Sequence, residues 1–174
     1  MSHINIIPLQ FSQVGSLEQM LETIGDRFKR ETRLVLHPMD LTEYFDPVRS
    51  QYNANAIISI LQPDDISENK IVGITDLDLF IPVLSYIFGQ AYLGGSAALI
   101  SGYRLQNSRY GLPDDQQVYE QRLLKCILHE LGHTFGLRHC LHPGCIMISS
   151  TYVEEMDQKT DRFCRDCHKE LLMH

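Results

Sequence analysis

The order of predicted elements, β-α-β-α-β-β-β-α with an irregular tail, places the chain in the α/β (α+β) class. It reads as an α/β sandwich with a small irregular lower part. Three observations carry this reading. Short alternating apolar runs recur through the first hundred residues. Amphipathic stretches at helical spacing lie between and after them. Beyond Gly136 the periodicity stops, and Cys, His, Pro and Gly crowd together.

Residues 3–9 alternate and predict the first strand. Residues 17–29 predict a helix, because Leu17, Met20, Leu21, Ile24 and Phe28 recur at helical spacing. Ser16 stands where an N-cap belongs, and Glu18 adds a favourable charge to the first turn. Residues 33–37 predict a short strand that Pro38 stops. Residues 47–61 predict a second helix that buries Ala56, Ile57, Ile60 and Leu61, with Pro63 ending it. Residues 71–79 predict a central strand, and 86–91 and 97–101 two more on either side of Gly94 and Gly95. Pro113, Asp114 and Asp115 open a long helix that runs to about Phe135, with Gly136 as its C-cap. A last short helix is predicted over residues 162–172.

A length of 174 residues suits one compact domain with a core of its own. The net charge of −7 and the lack of any Lys/Arg cluster argue against a nucleic-acid partner. No apolar run approaches the roughly 20 residues of a membrane helix. Residues 1–10 lack a basic segment followed by a long apolar one, so no signal peptide is expected. No pro-segment is expected ahead of the first strand either, and the expected location is the cytoplasm. Without an export signal, five cysteines clustered towards the end read as metal ligands before disulfides.

The chemistry concentrates in His129-Glu130-Leu131-Gly132-His133-Thr134-Phe135-Gly136-Leu137-Arg138-His139. His129 and His133 stand i, i+4 on one helix face, so both imidazoles reach one metal ion. Gly136 allows a sharp turn that returns His139 to that ion from outside the helix. Three neutral imidazoles leave one coordination position open, the pattern of a catalytic zinc and not a structural one. Glu130, beside the first ligand, can take a proton from a water in that position. An H-E-x-x-H alone arises by chance in on the order of 2% of such sequences, and the added Gly and His lower this below about 10⁻⁴. Two unrelated surface histidines on a helix are therefore set aside.

The tail carries Cys140, Cys145, Cys164 and Cys167 with the spacing C-x4-C-x18-C-x2-C. That is close to ordinary four-cysteine zinc spacing. Four thiolates close a tetrahedral site, whose role is then folding energy. Four reduced thiols packed as small apolar groups are the bland alternative in so polar a stretch. His142 and His168 lie nearby and could replace one cysteine. Cys126 precedes His129 by three residues on the same helix face. It could approach the zinc or act as a redox switch, but reads first as a small core residue under the site.

The eleven residues match the metzincin pattern H-E-x-x-H-x-x-G-x-x-H. The third histidine is followed at once by Cys140, then by Cys145, Met147 and Cys164-x-x-Cys167. Over residues 129–167 this resembles the archaemetzincin family of zinc peptidases. The N-terminal half is similar only in the coarse order of its elements. The resemblance implies a metzincin-like zincin fold: a twisted mixed sheet, a backing helix, an active-site helix and a small irregular zinc-bound C-terminal subdomain. Residues 1–136 would form the N-terminal subdomain and 137–174 the C-terminal one. It implies two zinc ions, one catalytic on His129, His133 and His139, one structural on Cys140, Cys145, Cys164 and Cys167. It makes Glu130 the general base and Met147 the Met-turn beneath the catalytic metal. Some metzincins carry a Tyr two residues after that Met; here the position is Ser149, and the nearest tyrosine is Tyr152.

The function expected is a metallopeptidase acting on short peptides or chain ends, aminopeptidase-like cleavage included. The competing expectation is a catalytically silent, zinc-stabilised module that binds protein or peptide. Retention of Glu130 favours the enzyme, since a silent site is free to lose it. Residues 97–101 are the candidate edge strand to which a peptide could add.

Overall fold

The computed structural model describes residues 2–62 and 68–173. Its main sheet has five strands: β1 (His3–Pro8), β2 (Glu31–Leu34), β5 (Lys70–Thr75), β8 (Gly89–Ala91) and β9 (Ala97–Ser101). They lie in the order β2-β1-β5-β9-β8. Every pair is parallel except β8 with β9, so the sheet ends in one antiparallel edge strand. A second sheet holds β3 (Phe45–Asp46), β4 (Gln51–Asn53), β6 (Leu79–Ile81) and β7 (Leu84–Ile87) in the order β3-β4-β6-β7.

Strand alternation sorts the core into two layers. Ile4, Ile6, Val72, Ile74, Ala98 and Ile100 face α1 (Val14–Phe28) and α3 (Gln116–Thr134). Ile7, Leu9, Ala97 and Leu99 face the other way, onto α2 (Ala54–Leu61) and Leu79 of the second sheet. Helix α1 is the backing helix. Its Phe28 stacks on Phe135 at 5.0 Å and meets Phe163 edge-on at 5.5 Å, which ties the tail to the main body.

The structure corrects several sequence expectations. Helix α1 starts at Val14, and its N-cap is Gln13. Ser16 lies inside the first turn and donates its hydroxyl to Glu120 at 2.7 Å. Of the predicted helix over 47–61, only Ala54–Leu61 is helical. The preceding residues make a turn and β4, held between β3 and β6, so sheet pairing outweighs local helical periodicity there. Asn53 caps α2 by accepting from the N–H of Asn55 at 3.1 Å and of Ala56 at 3.4 Å. Pro63, expected to end that helix, lies outside the described residues. The single strand over 71–79 is two: β5 ends at Thr75, a turn follows, and β6 enters the second sheet. Residues 86–91 likewise split at Phe88 between β7 and β8. In the tail, α5 (Arg165–Leu171) lies within the predicted last helix, and α4 (Val153–Gln158) is a further one. No helix among the described residues is long and apolar enough to cross a membrane.

Candidate active site

Helix α3 is fixed at its start by Asp115, which accepts from the Val118 N–H at 3.1 Å. Its last two turns present His129, Glu130 and His133. Gly136 follows with φ +85, and the Leu137 N–H closes back on the Gly132 carbonyl at 3.0 Å. That left-handed turn swings the chain around so that His139 rejoins the other two. The three rings sit 4.7, 5.3 and 5.0 Å apart by centroid.

The orientation of two of these rings is set by the backbone. His129 Nδ1 lies 2.8 Å from the Ile146 carbonyl, and His133 Nδ1 lies 2.7 Å from the Leu137 carbonyl. A protonated Nδ1 donating to each carbonyl leaves Nε2 as a bare lone pair. Burial pushes the His129 pKa down to about 3, and the positive charge of Lys159 adds to this. Burial lowers His133 as well. Both rings are thus neutral, with their Nε2 atoms 3.2 Å apart. Two nitrogens bound to one tetrahedral zinc at about 2.05 Å stand about 3.3 Å apart. The spacing therefore fits that ion, and two facing lone pairs have no better use.

Glu130 is buried, at 9% exposure, beside His129. Burial pushes its carboxyl up to about 8, against the pull of the Lys159 ammonium. The space it occupies depends on Gly89 in β8. A Cβ there would stand 2.7 Å from Glu130 Cγ and 3.0 Å from Oε1. Glu130, the three histidines, Tyr86 and Gly89 share one cavity of about 390 Å³. The cavity wall is the run 84–91, where β7 and β8 are the last strands of their sheets. The edge strand at the site is therefore β8. Residues 97–101 form β9, which is paired on both sides, by β5 and by β8, and has no free edge.

The four tail cysteines also converge. Cys140, Cys145, Cys164 and Cys167 form one group with every ligand atom within 4.8 Å of the others. Cys140 and Cys164 stand 3.8 Å apart by sulfur, as do Cys145 and Cys167. Four sulfurs at about 2.3 Å around a tetrahedral zinc are about 3.8 Å apart, so this set fits as well. Backbone N–H groups of His142 and Cys164 donate to the sulfurs of Cys140 and Cys145, both at 3.3 Å, which supports thiolate charge. Neither His142 nor His168 joins the group.

Met147 is fully buried, and its Sδ would lie 2.5 Å from a Cβ added at Gly132. Only glycine at that helix position lets Met147 pack so close against α3. Cys126 belongs to neither ligand group; its Sγ lies 3.7 Å from Met156 Sδ, and burial pushes its thiol up to about 12. Tyr152 is 59% exposed and does not line the cavity, whereas Tyr86 does, donating its hydroxyl to the Thr151 carbonyl at 2.9 Å. Gly89, Tyr86, Lys159 and Gly132 escape a sequence reading. Three of the four reach the site only through long-range packing, and Gly132 reads as a variable position of the motif.

A mostly parallel sheet with an antiparallel edge, and a helix ending in a glycine turn that gathers three histidines, are the marks of a metzincin-type zinc metallopeptidase. The chain belongs to Peptidase family M54, whose model matches residues 6–173. It is 36% identical to the archaemetzincin of Methanopyrus kandleri, over 85% of this chain and 86% of that one. It is 34% identical to the archaemetzincin of Haloarcula marismortui, over 98% and 99%. The crystal structure of archaemetzincin from Archaeoglobus fulgidus complexed with malonate is similar, with a TM-score of 0.83 at 30% identity over 97% of this chain and 99% of that one. A zinc-dependent peptidase from Methanocorpusculum labreanum gives a TM-score of 0.82 at 30% identity, with the same coverage.

Proposed function

We propose that His129, His133 and His139 hold a catalytic zinc ion, that Cys140, Cys145, Cys164 and Cys167 hold a structural one, and that Glu130 is the general base of peptide-bond hydrolysis. The observation that carries this reading is the convergence of three imidazoles and one buried carboxyl on a single cavity beside a free strand edge. Zinc bound there would supply Lewis acidity, polarising the scissile carbonyl and bringing the pKa of a water near ~7. The charge of an ion held by the three histidines would favour the ionised form of Glu130, offsetting the rise that burial causes. As carboxylate, Glu130 takes the proton from that water and delivers it to the leaving amine. The carbonyls of Ile146 and Leu137 keep two imidazoles in the tautomer that leaves Nε2 free. The edge of β8 can align an extended peptide through main-chain hydrogen bonds, and the modest cavity suits short peptides or chain ends.

Two tests follow. A defined library of short peptides, incubated with fully zinc-loaded protein and read by mass spectrometry, should show cleavage that a chelator abolishes. A library left intact at full zinc content would overturn the reading. Gly89→Ala should keep the fold, because the new methyl group meets only the Glu130 side chain, Cγ first at 2.7 Å, and no backbone, so that side chain must shift. The carboxyl then leaves its working position, and peptide hydrolysis should fall by about 10- to 100-fold, within the typical worth of a positioned base. Unchanged kcat in Gly89→Ala would show that the Glu130 position does not matter.

A further inference from the structure

The cavity that holds the histidines is also lined by Cys126, Met156, Lys159, Ser149, Ser150 and Thr151. Lys159 is only 6% exposed, an uncommon setting for a lysine. Its ammonium has a single acceptor among the described residues, the Ile148 carbonyl at 2.8 Å. Among the described residues, two of its three donor positions have no protein partner, and no carboxylate forms an ion pair with it. Ser150 lines the same cavity, and its hydroxyl is buried without a hydrogen-bond partner. Buried polar groups are nearly always satisfied, and a partly satisfied ammonium is costly, so an unfilled pair in one cavity points to a ligand.

The position of Lys159 is built. Arg122, buried on α3, grips Asp157 through two bonds of 2.8 and 2.6 Å and also donates to the Leu105 carbonyl at 2.9 Å. Lys125 donates to the Met156 carbonyl at 3.1 Å. These contacts pin the end of α4 to α3 and bring the next turn, with Lys159, to the cavity. Tyr86, also lining the cavity, holds the Thr151 carbonyl.

Resting on the peptidase reading above, we infer that Lys159 and Ser150 form a specificity pocket for a carboxylate, taking an Asp or Glu side chain of a peptide residue beside the scissile bond. The ammonium supplies the charge and the hydroxyl a second donor, a pairing that suits a carboxylate better than a neutral amide. Among the described residues, Glu130 is the one carboxyl lining this cavity. The chain's net charge of −7 would not steer an acidic peptide in from solution, so any preference must come from this local pair.

The test uses peptide pairs identical but for Glu or Gln at each position flanking the cleaved bond. Wild-type, zinc-loaded protein should prefer Glu at one of these positions by about 10- to 100-fold in kcat/KM, the worth of a charge-assisted hydrogen bond. In Lys159→Met that ratio should collapse towards one. Equal rates for Glu and Gln peptides in wild type would overturn the inference, as would a preference that survives in Lys159→Met. A loss in Lys159→Met equal for both peptides would place the lysine in support of Glu130 instead. Should that variant not fold, the wild-type pairs still decide. Binding of the same peptides to zinc-loaded Glu130→Ala, measured by calorimetry, separates the two proposals. Tighter binding of Glu peptides with no cleavage by wild type would sink the peptidase reading alone. Cleavage by wild type with equal binding of both peptides would sink the pocket alone.

Discussion

Glu130→Ala should retain its zinc and its fold and lose about 10²- to 10⁴-fold in peptide hydrolysis, the usual worth of a positioned general base. The carboxyl is not part of either ligand group, so its removal leaves every proposed metal ligand in place. It is buried and raised in pKa by that burial, so removing it also removes a desolvation cost, and stability should hold or rise slightly. The measurement is the rate on a cleaved library peptide, with zinc content determined on the same preparations. An exposed helix residue without a role would give equal rates. Loss of zinc from the variant would make Glu130 a ligand or a support for one.

The second large effect concerns the tail. Cys164→Ser should lose the tail metal, destabilise the protein by about 3–5 kcal/mol and lower its melting temperature by about 10 °C. The effect should not stay local. Cys140 is bonded in sequence to His139, and its N–H donates to the Met147 carbonyl at 3.0 Å. The next residue back, Ile146, supplies the carbonyl that orients His129. Freeing the cysteines therefore loosens the corner that holds one histidine and aims another. The variant should bind zinc at the histidine site more weakly than wild type does. Equal affinity at that site would disprove the coupling.

The histidine helix was legible because its geometry is local: i, i+4 spacing on a helix puts two imidazoles together wherever that helix lies. The glycine turn to His139 was legible for the same reason, as Gly136 takes up the positive φ the turn demands. The cysteine group required only that four soft ligands close on one another. What escaped depends on pairing between distant strands. The edge strand was placed at residues 97–101, since apolar alternation marks a strand without telling which neighbours it has. The five buried residues of β9 in fact mark an interior strand, parallel to β5 on one side and antiparallel to β8 on the other. Residues 47–53 read as helix because β4 is only three residues long and its parallel partner β6 is distant in sequence. Lys159 sits in a polar stretch with no periodicity, and nothing near it signals that α3 draws it into the cavity.

The most direct test is a zinc titration followed by rate. Protein stripped of one zinc by mild chelation should keep its circular dichroism and show no peptide hydrolysis. Adding zinc back should restore the rate in proportion to metal bound between one and two ions per chain. A rate that is complete at one ion per chain, absent at two, or lost only together with the fold would contradict an open histidine site working beside a closed cysteine one.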